Sequence, residues 1–262
     1  MTVKDYSMPV ARLLQLGDPR NEGEWRNYLA LGITADHIPD LIRMALDEDL
    51  RWADSERKEV WSPVHAWRTL GQLRAHEAAE PLLALFQQID EDGDDWVGEE
   101  LPQVYGKIGA VAIPVLARYL ADAAYGLWAR VGVSAALDNI ATHFPTARSE
   151  CIAVITFQLE QFLTNDPTLN GCLIADLLDL KAIESAPIME RAFAAKRVDL
   201  SVAGDWEDVQ IEFGMKKERT GPRERTELDD IRDRIVSKIG AIVSNKPKPK
   251  ATQSNLTDAV IS

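Results

Sequence analysis

Five prolines, at positions 39, 81, 114, 145 and 187, recur at spacings of 42, 33, 31 and 42 residues, and their surroundings are alike. Gly32-Ile33…Ile38-Pro39-Asp40-Leu41-Ile42 parallels Gly109…Ile113-Pro114-Val115-Leu116. Leu70…Leu73…Glu80-Pro81-Leu82-Leu83 and Leu177…Leu180…Ala186-Pro187-Ile188-Met189 follow the same scheme. Proline is tolerated in the first turn of a helix, where its missing N–H would have no intrahelical partner. Each of these prolines is therefore expected to open the second helix of a pair. A unit of this length cannot bury its apolar face alone, so the recurrence predicts stacked helix pairs.

The segments between the marks carry helical periodicity. One stripe is Val64, Trp67, Leu70, Leu73, on a helix expected to begin with Ser62 as N-cap and Pro63 as its first residue. Others are Leu82, Phe86, Ile89; Ile113, Leu116, Leu120; and Val133, Leu137, Ile140. The most regular are Ile152, Ile155, Leu159, Phe162 and Leu169, Leu173, Leu177, Leu180. A further helix is expected to start at Pro102. Only Val209 to Phe213 alternates as a strand would, and five residues alone cannot make a stable sheet. The expected fold class is all-α: a HEAT- or armadillo-like α-solenoid of about five helix pairs over residues 1–215. Residues 216–226, charged and holding Gly221-Pro222, read as a basic linker. Leu228, Ile231, Ile235, Ile239 and Ile242 predict a C-terminal amphipathic helix over 227–244, which either caps the stack or docks on a partner or a second copy. Residues 245–262, with Lys-Pro-Lys-Pro-Lys, are expected to be disordered.

The formal net charge of −13 is unevenly spread over the 262 residues. From Lys216 onward there are 11 Lys+Arg and 7 Asp+Glu, which leaves 18 against 35, a net of −17, on the preceding body. A body so acidic repels phosphate backbones, which argues against nucleic acid as a partner. No apolar run approaches the roughly 18 residues that a membrane-spanning helix needs. The N-terminal residues lack the pattern of a secretory signal. The two cysteines, Cys151 and Cys172, sit in apolar helical patterns and are expected to be buried free thiols. Together these features predict a cytoplasmic protein with no membrane contact.

Gly109-Ala-Val-Ala-Ile113-Pro114-Val-Leu116, followed by Trp128-Ala129-Arg130-Val131…Ala135-Ala136-Leu137…Ile140, resembles the HEAT-like repeat of phycobilisome-lyase type. In that repeat Gly…Ala-Ile-Pro-x-Leu marks the turn into the second helix, and Val-Arg…Ala-x-x-Ala-Leu-x-x-Ile the next first helix; here the order is Ala-Arg-Val. The span from about Trp25 to Ala195 is also similar to a bacterial family of helical-repeat proteins without an assigned function, through Pro63-Val64-His65-Ala66, Asp95-Trp96…Leu101-Pro102 and Leu177-Leu178-Asp179-Leu180-Lys181-Ala182. The resemblance implies the fold. It implies a task only as an alternative, a chromophore-lyase-like or cofactor-handling protein, because HEAT-like stacks host unrelated functions.

The densest charge lies in residues 90–100 (DEDGDDWVGEE), with seven acids and no base. A calcium loop would need glycine at its sixth position and glutamate at its twelfth, where Asp95 and Leu101 stand. The stretch reads instead as a solvated loop whose Asp95, Glu99 and Glu100 favour the N-terminus of the helix at Pro102. Trp67 and Trp128, at helical positions, are expected in the core, whereas Trp96 and Trp206 lie in polar surroundings and are candidates for docking. His37, between Asp36 and Asp40, is explained by local capping at Thr34. Asp176 and Asp179 share a helix face, as chance allows in so acidic a chain. No His or Cys spacing fits a metal site, and no phosphate loop or nucleophile motif occurs, so no catalytic residue, metal or cofactor is expected. The functional expectation is a non-enzymatic protein-interaction or scaffold module. Its binding residues would be Asp92, Asp94, Asp95, Trp96, Glu99 and Trp206, and its partner a basic or amphipathic protein.

Overall fold

The computed structural model describes residues 6–20 and 23–223. The chain divides into two compact units, Met1–Pro222 and Arg223–Ser262. The helix and tail expected over 227–262 lie outside the described residues, and every element named below belongs to the first unit.

Twelve α-helices and no strand occur among the described residues. They are α1 (Ile38–Ala45), α2 (Glu48–Arg51), α3 (Ser62–Leu73), α4 (Leu83–Asp92), α5 (Asp95–Ile108), α6 (Ile113–Ala121), α7 (Leu127–His143), α8 (Arg148–Leu159), α9 (Pro167–Asp179), α10 (Ala186–Ala194), α11 (Leu200–Ala203) and α12 (Trp206–Glu212). Val209 to Phe213, for all its alternation, belongs to the α12 segment. No single helix among the described residues is long and apolar enough to cross a membrane.

The five prolines fall at the entries of α1, α4, α6, α8 and α10. Pro39, Pro114 and Pro187 occupy first turns, Pro81 lies two residues before the start of α4, and Pro145 opens the turn into α8. A 3₁₀ turn precedes each of these helices, at Ala35–His37, His76–Ala78, Ala110–Ala112, Pro145–Ala147 and Ile183–Ser185. Ahead of four of them the chain passes through a left-handed residue: Gly32, Arg74, Gly109 and Lys181. The left-handed residue reverses the chain at the end of one helix, and the 3₁₀ turn tightens the approach to the next. Thr34 and His37 form a reciprocal capping box in the first of these turns, as expected of that cluster.

Packing follows the chain. α3 lies against α1 and α5, α5 against α7, α7 against α9, and α9 against α11. α7 also meets α4, α6 and α8, which makes it the central wall. α5 and α7 approach closely in that wall, where a Cβ on Gly106 would stand 2.9 Å from Asn139 Cβ. The predicted stripes point inward: Leu70, Phe86, Leu116, Leu137, Ile155 and Leu173 are all fully buried.

Several sequence expectations are corrected. The helix expected at Pro102 begins at Asp95, and Pro102 sits inside it, its ring buried and its missing N–H leaving the carbonyl of Gly98 without the usual bond. Ser62 is not an N-cap: a 3₁₀ turn over Lys58–Trp61 runs into α3, and Ser62 Oγ is buried without a partner among the described residues. Trp128 is 49% exposed, because it is the second residue of α7 and faces away from the core stripe. Cys151 is buried, but Cys172 only half so. Among the described residues no α-helix precedes α1. Its place is taken by short 3₁₀ segments, Val10–Gln15 and Tyr28–Leu31, pinned on α3 through His65. The His65 Nε2–H donates to the Gly17 carbonyl (2.7 Å) and Nδ1 accepts from the Tyr28 hydroxyl (2.8 Å), so the imidazole is neutral. Burial pushes its pKa down to about 4. Residues 216–220, expected as linker, fold back onto α12. Arg219 pairs with Asp205 and Asp208, and Lys216 and Thr220 bind Glu207.

Gly109 has φ +93 and ψ −163, a region that side chains cannot enter without strain, and a Cβ there would meet Phe144 at 2.9 Å. Gly109→Ala is therefore expected to lower unfolding stability by about 2–4 kcal/mol, measured by urea denaturation, with the helical circular dichroism of the folded state unchanged.

Candidate functional site

The acidic stretch is neither a loop nor without basic partners. Only Gly93 and Asp94 separate α4 from α5. Gly93 takes a left-handed conformation to end α4, and Asp94 caps α5 by accepting from the Val97 N–H at 3.2 Å. Asp90 serves a third helix. α7 opens on Gly126, which has no side chain to cap with, and Asp90 accepts instead from the N–H groups of Trp128 (3.0 Å) and Ala129 (2.7 Å). Glu100 is buried and paired through both oxygens with Arg68. Arg51, from α2, reaches Asp92 at 2.8 Å and Asp94 at 3.3 Å.

Of the residues expected to bind, Asp92, Asp94 and Trp96 come together around Arg51. Asp95 and Glu99 lie exposed on the first turns of α5. Trp206 does not join them: it opens α12, half-buried, with its ring 5.9 Å from that of Phe193 on α10. Nor is Trp96 a protruding anchor. It stands in the first turn of α5 with its ring edge-on to Trp61, centroids 5.3 Å apart at 72°.

The two indoles form part of a pocket. Trp61, Trp67 and Trp96, with Val60, Pro63 and Val64, make its apolar walls around about 240 Å3. Pro63, Val64 and Trp67 reach it together because residues three and four apart share one face of α3. Its polar groups are Arg51, Ser55, Gln88 and Asp94. Trp67 is 3% exposed, and its indole N–H has no hydrogen-bond partner among the described residues. The pocket is smaller than the roughly 300–1,000 Å3 of sites that hold drug-sized ligands, and a tetrapyrrole would not fit in it.

A second hollow, open and polar, adjoins the first through shared Arg51 and Gln88. It encloses about 500 Å3 between Glu48, Trp52, Glu91 and Asp92. Here the acids face outward and the base is tucked in: the Glu48 side chain is 64% exposed and that of Arg51 16%. Trp52 is 60% exposed and binds Glu48 through its indole N–H at 2.9 Å, with the Arg51 guanidinium over its ring. Arg51, Trp52, Trp61, Trp67 and Gln88 were not among the residues expected to bind. The sequence held one signal for them, the close spacing of Trp52, Trp61 and Trp67.

The strongest carboxyl perturbation lies elsewhere. Asp176 and Asp179 on α9 are joined by Asp138 of α7, and Ser134 donates to Asp176. Burial, then the neighbouring carboxylates, lifts Asp176 to about 8, and burial with the charge of Asp179 lifts Asp138 to about 6. No group of three or more His, Cys, Asp or Glu among the described residues is placed to hold a metal ion. Burial first, then nearby acids, raises the thiols of Cys151 and Cys172 to about 12 and 11, so neither is a nucleophile at neutral pH.

Because the folded-state pKa of Asp176 lies above its unfolded value near 3.8, stability is fully present at low pH and is lost as pH rises toward 8. Asp176→Asn is expected to raise stability at pH 8 by on the order of 2 kcal/mol and to flatten this slope, read from thermal melts between pH 5 and pH 8. Comparison with protein-family models, with curated proteins and with solved structures found no match for this chain.

Proposed function

We propose that the protein is a HEAT-like helical-repeat binding module that captures a basic segment of a partner protein and performs no chemistry of its own. Support for the repeat reading is the recurrence of one joint. Five times a 3₁₀ turn leads into a helix marked by proline, and four times a left-handed residue precedes it. Successive first helices also pack in chain order from α3 to α9, as stacked pairs would.

The observation that carries the binding reading is the pairing of two hollows across Arg51 and Gln88. One is apolar and lined with indoles, the arrangement of a pocket that receives an anchor side chain. The other is acidic, with Glu48 turned to solvent. Such an arrangement favours a segment in which an apolar residue is followed by lysine or arginine, and it repels acidic competitors. Arg51 is neutralised by Asp92 and Asp94, which keeps the field of the groove negative.

A labelled amphipathic peptide with a lysine face, followed by fluorescence anisotropy, tests this. Glu48→Lys with Glu91→Lys should weaken binding about tenfold or more at low salt, and raising the salt should weaken binding to the unaltered protein in the same direction. Unchanged affinity in the double variant, with the fold intact by circular dichroism, would contradict the proposal.

A further inference from the structure

The acidic groove carries an aromatic ring that the fold leaves largely uncovered. Trp52 lines the groove and is 60% exposed. Its indole N–H donates to Glu48 Oε2 at 2.9 Å, which fixes the ring and sets a carboxylate beside it. The Arg51 guanidinium lies over the ring, 4.7 Å from the centroid, and is itself tucked in, its side chain 16% exposed. With one face under a half-buried guanidinium, an exposure of this size leaves the other face of Trp52 open to solvent.

An open indole face beside carboxylates attracts a cation. Glu48, Glu91 and Asp92 line the groove, and Arg51 does not cancel them. Its own charge is met by Asp92 at 2.8 Å, Asp94 at 3.3 Å and Glu48 at 3.9 Å. Nor is a second cation on one indole foreign to this fold: the ring of Trp25 meets both Arg68, at 5.4 Å, and Lys107, at 5.1 Å. Arginine and lysine would use such a place differently. A guanidinium is planar and weakly hydrated, so it can lie on the ring and fork onto a neighbouring carboxylate at once. An ammonium is a compact, strongly hydrated point charge and gains less from the ring.

We infer that the groove selects arginine over lysine in the partner segment, the guanidinium stacking on the open face of Trp52 and pairing with Glu48. That a basic segment docks here rests on the acidic docking reading above. The choice of arginine rests on Trp52 and the carboxylate its indole N–H holds.

The test uses the full chain labelled with ¹⁵N, whose Trp52 indole signal, the one that Trp52→Leu removes, is followed during titration. The probes are blocked peptides in which a leucine is followed by a run of arginine, lysine, citrulline or glutamate, together with N-acetylarginine amide. The arginine peptide should shift the Trp52 signal. It should bind about threefold to fivefold more tightly than the lysine peptide, the value of one exposed cation–π contact. Against the citrulline peptide, its uncharged isostere, the advantage should be about tenfold or more. Trp52→Leu, a change at an exposed residue, should bring the arginine peptide down to the affinity of the lysine peptide. Should that variant fail to fold, the peptide ranking and the Trp52 signal of the unaltered protein still decide. Equal binding of the arginine and lysine peptides would overturn the inference, as would an unmoved Trp52 signal or an arginine preference that survives Trp52→Leu. If both basic peptides then still bind more tightly than the glutamate peptide, the acidic docking surface stands without its choice of arginine. Basic peptides no tighter than the glutamate peptide would overturn the docking reading and this inference with it. Binding of N-acetylarginine amide as tight as that of the peptide would overturn a protein as the source of the arginine.

Discussion

The close approach of α5 and α7 sets the frame for everything else. At Gly106 the backbone of α5 lies so near Asn139 that no side chain can intervene. At Gly132, two turns earlier on α7, the ring of Phe86 from α4 comes in, a Cβ there being 3.0 Å from it. With glycine at both contacts, α4 and α5 bed onto one helix at levels two turns apart. Packed interiors have little freedom to adjust, so the angle between α4 and α5 is fixed by this seam. That angle brings Trp96 edge-on to Trp61 and lets Arg51 bridge Asp92 and Asp94. The pocket is thus a consequence of packing at α7, a helix that contributes no residue to its lining.

The acidity of the body is put to two uses. Some carboxylates are consumed by structure: Asp90 caps α7, Asp94 caps α5, Glu100 holds Arg68 in the interior, and Asp205 and Asp208 bind Arg219. Others face water, among them Glu48, Glu91, Asp95 and Glu99. Net charge alone gives the size of the field but not where it emerges. Once the structural acids are set aside, the outward-facing remainder around α2, α4 and the start of α5 borders the edge where indoles also gather.

How much of this was legible in the sequence depends on the range of the interaction. Stripes such as Leu169, Leu173 and Leu177 are written in local spacing and proved buried. The five prolines likewise mark real helix entries, because the penalty for proline elsewhere in a helix is local. Local rules also misled. Ser62 beside Pro63 has the look of a cap, yet the chain is already turning in 3₁₀ form when it reaches them. Pro102 stands mid-helix, since the cap at Asp94 starts α5 two turns earlier. The candidate site was half visible. Asp92, Asp94 and Trp96 announced themselves as a cluster, whereas Arg51 and Trp61 belong to the site through contacts across about 35 residues or more, which no local pattern encodes. Trp206 shows the converse. Its polar neighbours, Asp205 and Asp208, form a capping box that binds Arg219, so their polarity reflects the start of a helix.

Docking of a partner protein at the indole pocket beside the acidic groove is tested most directly by photocrosslinking in cells that produce the protein naturally. A photoreactive residue is placed at Ser55 and, as control, at the exposed Phe157 of α8. Sequencing of the crosslinked peptides reads out what lies at the pocket. Ser55 is predicted to capture a segment with an apolar residue next to lysine or arginine, and Phe157 is not. Capture of an acidic segment at Ser55, or of the same peptides from both positions, would contradict docking at this pocket.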